Sequence, residues 1–227
     1  MRGGHDIINK KMTSPRVIFV WYSMDMNSIP CDIVLLPDAT VTERAYSLSA
    51  ILETNDTFFT LKDGSFFPHA SLYMTQLKLS DLSHVSSILN NIASYTPQIH
   101  LVAKEYHQEA GYIDIEYLRT QLVDNLQMKV IEAINPIRDD LREKDKVRLQ
   151  TAEGKERENI EKYGYRSVGE LFSPHLTLTR LKSIDPIEVV SLPGIHSFNT
   201  VFNKIGLFEM GDNGTCIRKI AEFNLSK

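Results

Sequence analysis

The sequence has few cysteines, no strong excess of charge and no long hydrophobic run. Only Cys31 and Cys216 occur among its 227 residues, and neither belongs to a Cys-x-x-Cys pair. They are too few for a disulfide scaffold, so a reducing compartment is expected. The formal net charge is −4 and the pI is about 6.0, which argues against coating nucleic acid through bulk positive charge. No stretch approaches the ~20 apolar residues that span a bilayer. We therefore expect a cytoplasmic protein without membrane contacts, in which a few Lys and Arg side chains make any nucleotide contact.

Common loop signatures of nucleotide binding and serine hydrolysis are also missing. The chain contains no P-loop, no Gly-x-Gly-x-x-Gly and no Gly-x-Ser-x-Gly, so these devices for ATP, dinucleotide or ester chemistry are unsupported. The apolar content of 42% and the charged content of 24% are ordinary for a globular protein. A chain of this length can bury a full core as one large domain or as two small lobes.

The N-terminal segment has two interpretations. Residues 16–22 form an apolar run behind Lys10 and Lys11, which faintly resembles the hydrophobic part of an export signal. The run is short, and no small-x-small cleavage site follows it before Pro30. We expect residues 1–30 to form a tail or a peripheral strand, with an export signal as the alternative.

Hydrophobic periodicity and turn residues predict an alternation of strands and helices along the rest of the chain. The predicted elements are a buried strand at 32–37, a helix at 40–55 capped by Thr40, a strand at 66–77, a helix at 79–93, a hairpin of 99–103 and 113–117 around Gly111, a helix from Glu116 to Asn135-Pro136, a strand at 172–181, a short helical stretch to Leu192, and strands at about 199–209 and 215–225 joined by a turn at 211–214.

A charged insertion separates the two halves of this pattern, within about residues 116–168. Residues 138–162 hold eight basic and eight acidic side chains and few apolar ones. Such a segment is typical of a solvated helical excursion, and the alternative is an element that covers a cleft. On either side of it the halves share a strand–helix–strand order, which predicts an α+β chain duplicated into two lobes.

One short chemical pattern occurs twice, about a hundred residues apart. Residues 67–72 read Phe-Pro-His-Ala-Ser-Leu, and residues 173–178 read Ser-Pro-His-Leu-Thr-Leu. Each copy has a proline before its histidine, then an apolar residue, a hydroxyl residue and another apolar residue. A lone histidine in a strand is usually structural, but two matched copies in the same context predict a functional pair.

The spacing places the polar side chains of each copy together. Residues two apart share one face of a strand, so His69 projects with Ser71, and His175 projects with Thr177. If the two strands lie side by side, one cleft contains two imidazoles and two hydroxyls. His84, His100, His107 and His196 lack this context and are interpreted as structural.

A metal site on the two histidines is an alternative, because His and a carboxylate can bind zinc. Neither motif contains Asp, Glu, Cys or a second His at ligand spacing. Ser and Thr hydroxyls are poor zinc ligands and good donors to phosphate oxygens. We therefore expect neither a metal nor a cofactor.

The paired His-x-Ser/Thr-x motifs resemble those of the 2H phosphoesterase superfamily, which includes 2′-5′ RNA ligase-like and cyclic phosphodiesterase proteins. The tetrapeptides at 69–72 and 175–178 match its motif position by position, and the layout matches over about residues 31–227. The resemblance implies a bilobal fold in which two antiparallel sheets flank a central cleft, with helices outside. It also implies metal-independent chemistry on 2′,3′-cyclic phosphates, 2′-5′ linkages, cyclic oligonucleotides or RNA 3′ ends.

In this interpretation His69 and His175 are the catalytic acid and base, in an order that the sequence does not give. Ser71 and Thr177 bind the phosphate oxygens, and the protein is a monomeric hydrolase of a nucleotide or a short RNA. The alternatives are a non-catalytic nucleotide- or RNA-binding module, and the ligase direction of the same chemistry.

A further prediction concerns residues 163–166, Tyr-Gly-Tyr-Arg, just before the second motif. An aromatic ring can stack on a base, and an arginine can bind a phosphate with two parallel hydrogen bonds. We expect Tyr165 and Arg166 to border the cleft and contact substrate. The alternative is that the tyrosines only pack at the end of a helix.

Overall fold

Two antiparallel sheets and five α-helices make up the part of the chain that the computed structural model describes, residues 27–186 and 192–227. The strands are β1 (Ser28–Pro37), β2 (Thr57–Thr60), β3 (Ala70–Lys78), β4 (Ile99–Leu101), β5 (Ala103–Glu109), β6 (Tyr112–Tyr117), β7 (His175–Leu181), β8 (Thr200–Met210) and β9 (Cys216–Asn224). The helices are α1 (Ala39–Leu52), α2 (Leu82–Ser94), α3 (Gln121–Ile134), α4 (Glu143–Leu149) and α5 (Gly154–Tyr163).

Each sheet contains one of the two histidine motifs. In the first sheet β3 pairs with β1 and β1 with β8, which pairs near its start with β4 and farther along with β9. In the second sheet the order is β2-β7-β6-β5. The predicted α+β architecture with two antiparallel sheets is confirmed.

Strand β1 lies between two neighbours and is buried on both faces. Ile33 and Leu35 belong to the main core, which the helices cover. Val34 faces the other side and packs in a smaller cluster with Phe208 and Cys216. This explains why its apolar residues form a continuous run rather than an alternating one. The strand starts at Ser28 and so includes the last residues of the segment predicted to be a tail or a peripheral strand.

Helix α1 follows β1 and packs against the second sheet. Its N-cap is Asp38, whose Oδ1 accepts a 3.0 Å hydrogen bond from the Val41 amide. The predicted cap, Thr40, is wrong by two positions, because both residue types cap helices. On the buried face the Ser49 hydroxyl donates to the Leu178 carbonyl of β7 at 2.7 Å. This bond ties α1 to the strand of the second histidine motif.

The predicted hairpin is right in its turn and wrong in one strand. Strands β5 and β6 pair around Gly111, as expected. Ile99–Leu101, however, pairs with β8 in the first sheet. The chain therefore crosses from one sheet to the other at Val102.

Helix α3 starts later than predicted, because Glu116 and Tyr117 still belong to β6. Thr120 caps the helix and accepts a hydrogen bond from the Val123 amide. The charged insertion continues as the short helices α4 and α5.

Two sequence predictions fall outside the described residues. They are the apolar run at 16–22 and most of the helical stretch that leads to Leu192. Within the described ranges, none of the helices is both long and apolar enough to cross a membrane.

Candidate active site

The first motif holds its histidine by a backbone contact. His69 stands directly before β3, and its Nδ1 lies 2.7 Å from the Phe67 carbonyl oxygen. Pro68 has a fixed φ and keeps the residue before it extended, which presets the position of that carbonyl. The Phe67 ring is anchored on Phe208 at a centroid distance of 5.1 Å. The contact assigns the Nδ1 proton as the donor, so Nε2 is the nitrogen left for chemistry.

The second motif repeats this arrangement. His175 is the first residue of β7, and its Nδ1 lies 2.8 Å from the Ser173 carbonyl oxygen. Pro174 separates the two residues, and its own carbonyl accepts a 2.9 Å hydrogen bond from the Tyr117 amide. The preceding proline therefore has the same positioning role in both copies.

Each motif hydroxyl is hydrogen-bonded to an aspartate on the neighbouring strand. Ser71 Oγ donates to Asp32 Oδ2 of β1 at 2.6 Å. Thr177 Oγ1 donates to Asp114 Oδ1 of β6, also at 2.6 Å. The structure thus contains two matched sets of one histidine, one hydroxyl and one aspartate.

The two sets meet between the sheets. His175 is close enough that its charge lowers the pKa of His69. Burial is the larger cause, since His69 is only 8% exposed, and the carbonyls of Phe67 and Gly214 oppose the shift. The pKa of His69 falls to about 4, so its imidazole is neutral at pH 7.

The aspartates are shifted in the opposite direction. Burial raises the pKa of Asp32 to about 7, against the Ser71 hydrogen bond and the charge of Arg142, which lower it. Burial also raises the pKa of Asp114, although the charge of His175 and the Thr177 hydrogen bond act against it. Water exclusion disfavours the charged carboxylates in both sets.

Asp32 and His69 are better described as a neutral pair than as an ion pair. His69 Nε2 lies 3.6 Å from Asp32 Oδ2, which is beyond hydrogen-bond distance. Burial raises the pKa of Asp32 and lowers that of His69, and both changes favour the uncharged form of the residue. Asp32 Oδ1 is buried without a hydrogen-bond partner among the described residues.

A third buried group, the Cys216 thiol, adjoins this pair. One ligand atom from each of Asp32, His69 and Cys216 lies within 4.8 Å of the others, an arrangement that could hold a metal ion. Asp32 on β1 and Cys216 on β9 lie outside the two motifs, so the motifs alone did not indicate this group of ligands. Burial raises the pKa of Cys216 well above its ordinary value, and a metal would have to displace that proton. Asp32 and Cys216 are therefore better described as protonated neighbours of His69 than as metal ligands.

The predicted contact residues Tyr165 and Arg166 have different surroundings. Tyr165 is buried; its ring packs edge-on against Tyr73 at 6.1 Å and lies beneath the Arg142 guanidinium at 5.7 Å. Burial, and then the charge of the site residue Asp32, raise the pKa of its hydroxyl, so Tyr165 lies near the first histidine motif. Its contact with substrate stays a prediction. Arg166 is exposed and lies 3.7 Å from Glu156. Gly164 ends α5 in the left-handed conformation that the turn requires.

Sequence reasoning missed three residues of the site. Asp32 and Cys216 reach His69 from β1 and β9, and Asp114 reaches Thr177 from β6. Asp32 did carry a signal, since it is a carboxylate at the edge of an otherwise apolar run. A buried carboxylate is retained where it has a partner.

Comparisons with known proteins identify solved structures that share the fold of this chain. No family sequence model and no curated protein sequence matches the chain. Escherichia coli LigT in its apo form matches with a TM-score of 0.55 and 12% identity over 88% of this chain and 99% of LigT. The Thermus thermophilus protein TT0787 matches with a TM-score of 0.53 and 13% identity over 87% and 98% of the two chains. A crystal structure described as a phosphoesterase matches with a TM-score of 0.55 and 10% identity over 88% and 99%.

This chain has the fold of Escherichia coli LigT and of the crystallised phosphoesterase. The two antiparallel sheets and the helices outside them are those that the paired motifs implied. At these identities the likeness establishes the fold, and any inference about the chemistry of the chain rests on its own residues. Escherichia coli LigT has been crystallised with phosphate, ATP, NADP+ and 3′-AMP.

Proposed function

We propose that the protein is a metal-independent phosphodiesterase that acts on a nucleotide or RNA phosphodiester through two-histidine acid–base catalysis. The observation that supports the proposal is the matched pair of sites, in which His69 and His175 are held alike by Nδ1 and lie close enough for the charge of His175 to act on His69. A binding module would have no need of two imidazoles positioned in this way. The substrate classes are 2′,3′-cyclic phosphates, 2′-5′ linkages, cyclic oligonucleotides and RNA 3′ ends.

The pKa of His69 suggests its role in the hydrolytic direction. A neutral imidazole can accept a proton, and burial keeps His69 neutral. His69 Nε2 takes a proton from water, the water oxygen forms a bond to phosphorus, and the bond to the leaving oxygen breaks. His175, protonated, donates its Nε2 proton to that oxygen. The two roles exchange in the reverse direction.

The aspartates support the phosphate-binding role of the hydroxyls. Ser71 now donates its hydrogen to Asp32, so it cannot donate the same hydrogen to a phosphate oxygen. When Asp32 is protonated it can donate to Ser71 Oγ, which frees the hydroxyl hydrogen for the substrate. An Asp32 pKa of about 7 makes this form accessible at neutral pH. Asp114 and Thr177 form the matching pair on the other side of the cleft.

The location and oligomeric state are also proposals. Both cysteines are free, buried thiols, which supports action in a reducing compartment such as the cytoplasm. We expect the protein to work as a monomer, because the described part of the chain supplies both halves of the site.

A substrate panel tests the proposed function. The protein is incubated in EDTA with 2′,3′-cyclic nucleotides, 2′-5′ oligoadenylate, cyclic dinucleotides and short RNAs, and products are identified by mass spectrometry. We expect a hydrolysed phosphodiester from at least one class, and none with the doubly substituted H69A/H175A protein. Binding without turnover of any class would instead favour a nucleotide- or RNA-binding module.

A further inference from the structure

Four basic side chains, Lys144, Arg148, Arg166 and Arg180, form a group that we call the basic cluster. The guanidinium groups of these three arginines and of the buried Arg142 lie close enough to act on the charge of Lys144. Partial burial, followed by these positive neighbours, holds the pKa of Lys144 below its ordinary value. The cluster joins two separate parts of the fold, since Arg180 is on β7 and the other three residues belong to the charged insertion. The two parts meet at the β8–β9 turn, because Arg142, which caps α4, lies with its Nη1 3.4 Å from Met210 Sδ at the end of β8, and Arg180 bonds to Asn213 in the turn itself.

Arg180 places the cluster beside the candidate active site. Its Nη1 donates a 2.8 Å hydrogen bond to Asn213 Oδ1. The backbone of the next residue, Gly214, lies close enough to His69 to raise the pKa of its imidazole. Arg180 also lies on the same strand as His175, so the cluster adjoins both histidine motifs.

Aromatic rings hold the Arg180 guanidinium in place. It lies 4.8 Å from the centroid of Tyr112 and 5.2 Å from that of Phe58. Phe58 is half exposed, so the guanidinium stacked on it is open to the solvent side. A stacked guanidinium keeps its N–H donors in a fixed plane and is suited to phosphate.

The cluster carries more positive charge than its surroundings neutralise. Arg148 contacts Asp145 at 3.0 Å and Glu156 at 3.7 Å, and Arg166 shares the same Glu156 oxygen. Asp145 is also the partner of the buried Arg142. Within residues 27–186 and 192–227, no carboxylate forms an ion pair with Lys144 or Arg180. Unpaired like charges repel one another, and the protein as a whole carries a net charge of −4, so this local excess calls for an anionic ligand.

We propose that the basic cluster is a second phosphate-binding subsite, which makes the preferred substrate an RNA oligonucleotide with at least one phosphate beyond the scissile one. The proposal rests on the proposed function for the phosphate held by the histidines. The second phosphate can come from the next internucleotide linkage or from a 5′-terminal phosphate group. A cyclic mononucleotide reaches only the histidines.

The test uses the full chain carrying H175A, so that binding is measured without turnover. Fluorescence polarisation gives Kd for four-nucleotide RNAs with a 5′-hydroxyl or a 5′-triphosphate, and competition gives Kd for a 2′,3′-cyclic mononucleotide. Adding K144Q should weaken binding of the RNA that reaches the cluster about fivefold and lower the salt dependence of log Kd by about 0.7. The Kd of the cyclic mononucleotide should not change.

The two RNAs separate the two sources of the second phosphate. A Lys144 effect on both RNAs assigns the subsite to an internucleotide phosphate, and an effect confined to the 5′-triphosphate RNA assigns it to the terminal group. Unchanged Kd values for both RNAs would overturn the proposal. An equal loss of affinity for the cyclic mononucleotide would also overturn it, because Lys144 would then act through its long-range charge and not through contact with a second phosphate.

The matched control is K146Q, on the same helix. Lys146 is paired with Asp140 at 2.8 Å and Glu143 at 2.7 Å and does not belong to the cluster. K146Q should leave every Kd unchanged, and an RNA loss equal to that of K144Q would overturn the proposal. K144Q should also not lower the melting temperature, because it removes a charge that its neighbours disfavour.

Turnover of the cyclic mononucleotide by the protein without substitutions reports separately on the phosphodiesterase proposal. If it is hydrolysed and Lys144 does not affect RNA binding, only the subsite is wrong. If no substrate is hydrolysed but RNA binding depends on Lys144, only the hydrolytic function is wrong.

Discussion

Ser71 and Asp32, which are 39 positions apart in the sequence, share a 2.6 Å hydrogen bond on adjacent strands of the first sheet. Thr177 and Asp114 repeat the bond in the second sheet at the same length. The repetition shows that the duplicated feature is larger than the tetrapeptide, because each copy also includes an aspartate from the neighbouring strand. The aspartates connect the protonation state of the site to the stability of the fold.

The first prediction concerns Asp32 and stability. Its pKa is raised from 3.8 to about 7, so its contribution is fully present below pH 3.8 and is lost as the pH rises through 7. Asp32→Asn removes this titration and keeps an oxygen that can accept from Ser71. Between pH 5 and pH 8 the original protein should therefore lose a few kcal/mol of unfolding free energy, about what linkage gives for this pKa shift, that D32N does not lose. The melting temperature of D32N should rise relative to that of the original protein over this range.

Thermal unfolding at several pH values checks this prediction, with Asp81→Asn as a control. Asp81 is on the surface, between β3 and α2. A difference between D32N and the original protein that stays constant with pH would show that Asp32 is already ionised in the folded protein.

The second prediction concerns the motif hydroxyls. S71A and T177A should each lower kcat/KM by roughly 1–3 kcal/mol, which is less than the loss from either histidine substitution. The conservative exchanges S71T and T177S keep the donor and should retain most of the activity. If the alanine and conservative variants are equally impaired, the hydroxyl hydrogen is not what the substrate uses.

The third prediction concerns metal. Activity should persist after exhaustive chelation with EDTA, because the proposed chemistry uses only protein groups. Added Zn²⁺ should inhibit, since Asp32, His69 and Cys216 could capture it next to the catalytic nitrogen. C216A should weaken that inhibition. Loss of activity in EDTA with rescue by zinc or manganese would contradict this prediction and support a metal-dependent mechanism.

The fourth prediction concerns the attachment of the charged insertion. Asp145 is fully buried; it accepts hydrogen bonds from Arg142 at 2.6 Å and from Arg148 at 3.0 Å. D145A leaves Arg142 buried without its partner and should cost about 3–5 kcal/mol of unfolding free energy. Denaturant titration measures the loss. The control is E161A, which breaks only the exposed pair with Arg157 and should cost at most about 1 kcal/mol. Equal values for the two variants would contradict the structural role of the buried pair.

Residue spacing within a strand was sufficient to pair each histidine with its hydroxyl, because neighbours at i and i+2 share a face whatever the rest of the fold does. Spacing within one strand could not predict the two aspartates, because each lies on a neighbouring strand. Which residue of β1 lies near Ser71 depends on strand register, and the register includes an irregularity between Ile33 and Val34. A single sequence does not give that register.

Two other features of the chain were beyond the sequence for similar reasons. Residues 99–101 alternate in the same way whether they pair with β6 or with β8, so periodicity does not say to which sheet they belong. Tyr165 follows a glycine near the second motif, and we predicted that it borders the cleft and contacts substrate, with packing at the end of a helix as the alternative. Its burial comes from tertiary contacts with Tyr73 and Arg142.

The most direct test of two-histidine catalysis is the pH dependence of kcat/KM on the best substrate of the panel, for the original protein and for the H69A, H175A and H100A variants. The original protein should give a bell-shaped profile whose acidic limb falls near pH 4, since the pKa of His69 is about 4 and the base must be neutral. H69A and H175A should each lose about 10²–10⁴-fold in rate, and H69A should also lose the acidic limb. H100A, on the exposed side of β4, should match the original protein. Retention of the original rate by either H69A or H175A would contradict the account.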